Sequence, residues 1–389
     1  MFVYKPKTGN IPIKAWMSED DYYSDKGMVE QCETLATLPF AYHHIALLPD
    51  GHMGFGMPIG GVMATKGVVV TNAVGFDIGC GVQAIKTDLT EISVEVLKNV
   101  MGNIRDRVPV GFDHHKKSKE WEGFDDAPDI PIIRKELQQA TYQLGTLGGG
   151  NHFIEFQKGD DGYIWIMIHS GSRNFGYKIA REYHDLAVKK CALWCSDIPT
   201  KELAFLPLGD PLADDYLTAM NYALRFAREN RNCIMTAIKD SFAECIPNIL
   251  FSKPIDIHHN YAATEHHFGK NVMVHRKGAV RMRKDEIGII PGSQGTASYI
   301  VKGKGNPESF FSCSHGAGRR MGRKQARREL NFNDEVGKLN SRGIIHSIRN
   351  IDDLDEASGA YKDIGEVMAA QDDLVEISVK LTPLGVIKG

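Results

Sequence analysis

The 389 residues hold no apolar run long enough to span a bilayer, and Met1-Phe2-Val3-Tyr4-Lys5-Pro6 does not read as a signal peptide. Cysteine is scarce and irregular. Seven residues, an odd count without regular spacing, argue against a disulfide framework, and the expected setting is a reducing cytoplasm. A dominant charge sign is also missing. With 46 Lys and Arg against 49 Asp and Glu the formal net charge is −3, so any surface for nucleic acid has to be a local patch. The familiar nucleotide-binding and hydrolytic signatures are absent: no P-loop ending in Gly-Lys-Ser/Thr, no Rossmann fingerprint, no kinase motif set and no nucleophile elbow. Internal repeats and low-complexity linkers are lacking too. What the sequence does have is a 42% hydrophobic fraction, 39 glycines and fifteen histidines, which fit a folded enzyme with many tight turns.

The stretch Cys313-Ser314-His315-Gly316-Ala317-Gly318-Arg319-Arg320-Met321-Gly322-Arg323 stands out. One imidazole precedes residues with almost no side-chain bulk, which lets backbone N–H groups approach a phosphate. Arg319, Arg323 and Arg327, with Arg320, Lys324 and Arg328 beside them, would form two positive stripes on a following helix. Alone, the stretch reads more readily as a glycine turn before a solvated basic helix.

Periodicity and turn signals place the rest. Ser24-Asp25 caps a helix carrying Val29, Cys32, Leu35 and Ala36, and Ile45–Leu48 is a strand emptying into a loop, Pro49-Asp50-Gly51-His52-Met53-Gly54. Strands follow at 60–64, 68–71 and 82–86, with a loop at Gly75–Gly81, and then a helix at 92–104. Residues 105–134, charged and containing several prolines, read as a surface excursion. A glycine loop at 145–150 leads to Asn151-His152-Phe153, and a buried strand at 163–168 ends on His169. Two helical patterns come next, one with Ile179, Tyr183, Leu186, Ala187 and Leu193 on its apolar side and a longer one from Leu217 to Phe242. Strands resume at 255–258, 272–275, 287–290, 298–301 and 310–314, with further strands expected at 344–348 and 374–380. The expectation is a single α+β domain over 1–389, its sheets around a metal-centred cleft with flanking helices, and with 172–250 a mainly helical insertion.

Polar residues gather in the glycine loops and at strand ends. Asp77 and Cys80, three apart with Gly79 and Gly81 around the cysteine, form one turn. With His152, His169 and His259 they make a set of O, S and N donors suited to a divalent transition metal, and a shared thiolate could serve two ions. Zn²⁺, Mn²⁺, Fe²⁺ and Co²⁺ all fit that set. Each residue taken singly has an ordinary structural role, as a core thiol, a turn former or a hydrogen-bonded imidazole. Of His258 and His259 at most one points into a site. His43-His44, His114-His115 and His266-His267 are assigned to surface or packing roles, and His52 to loop support or metal.

The motifs as an ordered set resemble the RtcB family of RNA ligases, of the bacterial type. They are Pro49-Asp50-Gly51-His52, Gly75-Phe76-Asp77-Ile78-Gly79-Cys80-Gly81, Leu144-Gly145-Thr146-Leu147-Gly148-Gly149-Gly150-Asn151-His152-Phe153 and His169-Ser170-Gly171-Ser172-Arg173. They continue with His258-His259-Asn260-Tyr261, Pro291-Gly292-Ser293, Ser312-Cys313-Ser314-His315-Gly316-Ala317-Gly318-Arg319, Tyr361-Lys362-Asp363-Ile364 and Lys388-Gly389. The resemblance implies joining of an RNA 3′-phosphate or 2′,3′-cyclic phosphate to a 5′-hydroxyl, with GTP as co-substrate, two Mn²⁺ per site and a guanylylated histidine. It implies that His315 is the nucleophile and Asp50 its orienting partner. Asp77, Cys80 and His152 would hold one Mn²⁺, and Cys80, His169 and His259 the other. Asn151, Phe153, Glu155, Ser293, Ser298, Ala317, Gly318, Tyr361 and Lys388 would line the guanosine and phosphate site. Arg173, Arg319 and Arg323 would face RNA phosphates. A monomer acting in RNA repair or tRNA splicing is the expectation. The competing readings are a metal-dependent cyclic phosphodiesterase acting on RNA ends and a non-catalytic RNA-binding factor.

Overall fold

In the computed structural model, which describes residues 1–389, strand Ile164–Ser170 is buried along its whole length. Its side chains alternate between two apolar layers. Ile166 and Ile168 pack with Leu97, Ile234 and Phe242 of the helices Val94–Arg107 and Pro211–Cys245. Trp165 and Met167 point the other way, towards Ile289 and Ile300. A strand covered on both faces has to be central. It is the third strand of a seven-stranded sheet ordered Ile255–His258, Gly81–Lys86, Ile164–Ser170, Phe153–Gly159, Val375–Lys388, Ser298–Gly303, Ile287–Ile290, antiparallel throughout.

A six-stranded sheet holds the other half, in the order Phe2–Tyr4, Ile13–Ala15, Ala41–Phe55, Met57–Thr65, Lys270–Lys277, Asn260–His267. The helix Lys26–Thr37 covers it, capped by Asp25, whose carboxylate accepts from the Met28 N–H at 3.0 Å. Two short ribbons complete the strands: Ala279–Arg281 with Ser312–Ser314, and Val68–Val70 with Phe205–Pro207. Mixed helices and mainly antiparallel sheets, with one parallel pair between Ile13–Ala15 and Ala41–Phe55, make this an α+β fold. No helix is long and apolar enough to cross a membrane.

Several expectations need correction. Residues 105–134 are not simply an excursion. The helix expected at 92–104 spans Val94–Arg107, a further helix spans Pro131–Gln143, and Trp121 and Phe124 pack onto the largest core cluster. Proline at the first helical position favours that start, a signal hidden by the charge around it. Pro49–Gly54 is not a free loop but part of the strand Ala41–Phe55, whose pairing slips between Leu47 and His52. Asn260–His267 is a full strand that the expected pattern omitted. Residues 344–348 give only an isolated bridge from Ile345 to Gly385, and the closing strand reaches Lys388. Leu193 is exposed at the end of its helix. The helix after His315 begins only at Arg323, so Arg319 and Arg320 precede it and the two three-residue stripes do not form.

A buried ion pair ties the six-stranded sheet to the ribbon that ends at His315. Arg276 and Glu265, both buried, lie on paired strands, and Arg276 Nη2 is 3.1 Å from Glu265 Oε2. Arg276 also donates to Ser312 Oγ at 2.9 Å and to the Phe310 carbonyl at 2.8 Å. Burial pushes the Glu265 carboxyl up, but the His267 hydrogen bond and the Arg276 charge outweigh it and hold it at about 2. A depressed carboxylate stabilises the fold above its unfolded range and loses that contribution as pH falls towards its folded value. Glu265→Gln is therefore expected to cost about 3–5 kcal/mol in urea unfolding at neutral pH, since it leaves the Arg276 charge buried and uncompensated. Between pH 5 and pH 2 (roughly the span of its unfolded and folded values) the variant should lose less further stability than the unaltered chain.

Candidate active site

The site begins where the seven-stranded sheet ends. Gly81 pairs with both Ser170 and His258, so Cys80, one residue earlier, sits at the strand mouth between His169 and His259. Phe153 pairs with His169, which brings His152 to the same edge. Cys80 Sγ lies 3.2 Å from His169 Nε2 and 3.4 Å from His152 Nε2, and His152 Nε2 lies 3.2 Å from Asp77 Oδ2. The ligand atoms of Cys80, His152 and His169 fall within 4.8 Å of one another, all three residues buried. The His259 ring is 5.2 Å from that of His169 and 4.8 Å from that of His315. His258 turns away and meets Tyr261 edge-on at 4.7 Å. Of the adjacent pair, only His259 joins the cluster.

This donor set suits a divalent transition metal. Burial pushes the Cys80 thiol up, reinforced by the Asp77 carboxylate, and pushes the His169 and His259 imidazoles down. The pocket thus gathers neutral nitrogen donors around sulfur and a carboxylate. His152 Nδ1 and His259 Nδ1 are buried without a protein partner. Asp77 is positioned through its backbone, whose carbonyl accepts from Asn260 Nδ2 at 3.0 Å.

The second half of the site is an imidazole–carboxylate pair. His315 Nδ1 is 2.6 Å from Asp50 Oδ2, and the same oxygen accepts from the His315 backbone N–H at 3.0 Å. The slip in pairing between Leu47 and His52 turns Asp50 inward, where it is fully buried. Burial pushes its carboxyl up, and the His315 charge and hydrogen bond prevail and keep it low. Lys362 Nζ clamps the bend, donating to the carbonyls of Pro49 at 3.0 Å and Gly51 at 2.6 Å. Gly318, with φ +75°, lies so close that a Cβ there would run into the Asp50 backbone, so the glycine is required by contact as well as by conformation. His52 Nδ1 bonds to the Asp50 carbonyl at 2.9 Å, the loop-supporting one of its two expected roles.

His315 and His169 line a cavity of about 1200 Å³. Its wall includes Asn151, Phe153, Glu155, Ser293, Ala317, Gly318, Tyr361 and Lys388, the last paired across the strands with Phe153. Glu155 is buried with Oε1 unpartnered. Ser298 stands behind the wall, accepting from Gly292 N–H at 3.1 Å and from Gln157 Nε2 at 2.9 Å. Arg173 is half-buried outside the cavity, donating to Thr146 Oγ1 at 2.9 Å and the Gly111 carbonyl at 2.7 Å. Arg319 is held by Glu356 at 3.2 Å and the Asp355 carbonyl at 2.6 Å, with its guanidinium 5.1 Å from the Tyr361 ring centre. Arg323 is half exposed.

Three participants escaped the sequence reading. Lys362 lay inside a motif already singled out, so its signal was present. Gly278 gave none: its positive φ of 61° and its approach to the His315 ring, 3.0 Å from where a Cβ would stand, depend on the fold. Glu356 sits in an acidic run that resembles a solvated face, yet it is buried.

A family model described as tRNA-splicing ligase RtcB matches residues 31–389. RNA-splicing ligase RtcB of Escherichia coli (strain K12) is 38% identical over 409 residues, covering 98% of this chain and 98% of its own. tRNA-splicing ligase RtcB of Pyrobaculum aerophilum is 33% identical over 439 residues, covering 93% and 91%. The protein of that name from Nanoarchaeum equitans is 33% identical over 466 residues, covering 99% and 97%.

Cys80→Ala removes the sulfur at the centre of the cluster. Metal analysis after dialysis against Mn²⁺ or Zn²⁺ is expected to show at least about ten-fold weaker retention than in the unaltered protein. Equal retention would mean the cluster is not a metal site.

Proposed function

The chain belongs to the RtcB family, and from that membership we propose that it is an RNA ligase. It joins an RNA 3′-phosphate or 2′,3′-cyclic phosphate to a 5′-hydroxyl, using GTP and Mn²⁺. The observation that carries the reading is the His315–Asp50 pair at the wall of a large cavity, next to a buried Cys–His–His cluster.

In this reading His315 is the nucleophile. With Nδ1–H donated to Asp50 Oδ2, Nε2 keeps its lone pair and is the reactive nitrogen. The carboxylate fixes the tautomer and offsets the positive charge that the ring acquires. Nε2 bonds to the α-phosphorus of GTP and pyrophosphate leaves with the electrons of the broken P–O bond. The GMP then passes to an oxygen of the RNA 3′-phosphate, and the Nε2–P bond breaks. The RNA 5′-hydroxyl attacks the activated 3′ phosphorus, gives up its proton, and GMP departs.

Asp77, Cys80 and His152 would hold one Mn²⁺ and Cys80, His169 and His259 a second. The ions would supply charge stabilisation at the phosphates and the activated water that opens a cyclic end. The unpartnered oxygen of Glu155 is an acceptor suited to the N–H edge of guanine. Asn151, Phe153, Ser293, Ser298, Ala317, Gly318, Tyr361 and Lys388 complete the guanosine and phosphate site. Arg173, Arg319 and Arg323 serve the RNA phosphates, Arg323 being the most exposed of the three.

The test is incubation with α-³²P-GTP and Mn²⁺. Label is expected to attach covalently, to survive alkali, to be released by acid, and to be absent from His315→Ala. Labelling of that variant at the level of the unaltered protein would remove His315 from the role. Gel analysis of RNA with a cyclic phosphate end and a 5′-hydroxyl end should show a longer, sealed product. Opened but unsealed ends would favour the phosphodiesterase.

A further inference from the structure

Glu356 ends the short helical turn Ile351–Glu356 and is only 4% exposed. Its carboxylate gathers four side chains from three segments. Oε1 receives Arg319 Nη1 at 3.2 Å and Arg323 Nε at 3.1 Å. Oε2 receives Lys388 Nζ at 3.3 Å and the Tyr361 hydroxyl. Its backbone carbonyl accepts from Gln294 Nε2 at 3.0 Å, which anchors the loop carrying Ser293. One carboxylate thus faces two guanidinium groups and an ammonium inside the cavity wall.

We infer that Glu356 is a positioning residue for nucleotide recognition, fixing Lys388, Tyr361, Arg319 and Arg323 in place on the cavity wall. The inference rests on the GTP reading above. Lys388 and Tyr361 have no other side-chain carboxylate within hydrogen-bonding distance, so the direction of both depends on this one anchor. Lys388 is otherwise a long flexible chain, and an unanchored ammonium can take several rotamers. The surroundings make the anchor effective: the Lys388 charge, the Tyr361 hydrogen bond and the two arginines hold the Glu356 carboxyl at about 2 against the opposing effect of burial, so it stays charged at any working pH. Without that charge, Arg319 and Arg323 lose the carboxylate they share, and neither guanidinium on the wall keeps its fixed direction. The guanine edge then meets a poorly placed ammonium and phenol.

Glu356→Gln keeps the shape and removes the charge. In the α-³²P-GTP labelling reaction it is expected to raise the half-saturating GTP concentration by ten-fold or more, to narrow the preference for GTP over ATP, and to leave label at saturating GTP and metal retention close to normal. Glu356→Asp, which keeps the charge but shortens the reach, should fall between. In a double-mutant cycle, Lys388→Gln added to Glu356→Gln should cost little beyond either alone, since both remove one interaction. Unchanged half-saturation and nucleotide preference in both Glu356 variants, or fully additive losses in the cycle, would overturn the inference. An unaltered protein that takes no label from GTP would instead overturn the ligase reading itself.

Discussion

One line of backbone hydrogen bonds sets the distance between the thiol cluster and the His315 imidazole. The Cys80 carbonyl accepts from the His259 N–H at 2.9 Å, and the His259 carbonyl accepts from the Ala279 N–H at 3.1 Å. Ala279 pairs with Ser314, and His315 is the next residue. Three peptide links thus connect the mouth of the seven-stranded sheet to the ribbon that presents His315. Backbone bonds fix these separations far more tightly than flexible side chains could, and a site on sheet ends holds the required geometry better than one on free loops. His259 takes part twice, through its backbone as the connector and through its ring as the group between His169 and His315.

Around that line, several charges shielded from solvent are held by partners from distant segments. Arg276 meets Glu265 behind the ribbon, Lys362 meets the carbonyls around Asp50, and Glu356 meets the cations of the cavity wall. Buried charges of this kind add little net stability over apolar side chains, but losing one partner is costly. Their effect here is to hold chain segments far apart in sequence in one register. Lys362 and Gly318 both grip the bend that turns Asp50 inward, so the orientation of the carboxylate does not depend on its own backbone alone.

Much of the site was legible in the sequence because glycine-rich turns at strand ends carry their own signal. Asp77, Cys80, His152 and His169 could be grouped from that setting before any coordinates, and the structure brings them to one sheet edge. The capped helices were legible for the same local reason: Asp25, Ser93 and Asp210 each accept from a backbone N–H of the helix they precede. What was not legible depends on tertiary context. The helix Pro131–Gln143 was masked by its charged neighbourhood, and strand Asn260–His267 by its histidines and glutamate, buried on one face by a partner that only the fold supplies. The inward turn of Asp50 comes from a slip in strand pairing, which no local pattern encodes. Glu356 is the sharpest case, since an acidic run is normally solvated and only the approach of Arg319, Arg323 and Lys388 from elsewhere makes burial tolerable.

The same electrostatics bear on which competing activity the molecule is built for. A factor that only binds RNA needs exposed cations, and Arg320, Lys324 and Arg328 are exposed in the segment after His315. Such a factor has no use for a fully buried Asp50 held against one imidazole, because burying a carboxylate is unfavourable unless a partner recovers the cost. A phosphodiesterase would use the Cys–His cluster, but it needs neither that pair nor a further cavity lined by Glu155, Tyr361 and Lys388. The pair lies where the two regions meet, with His315 in the cavity wall and its ring 4.8 Å from that of His259. In the proposed ligase reading, His315 would take up a nucleotide fragment and release it beside the cluster, and that junction is the position such a role calls for. Sealing is the only one of the three activities that gives both halves of the site a task.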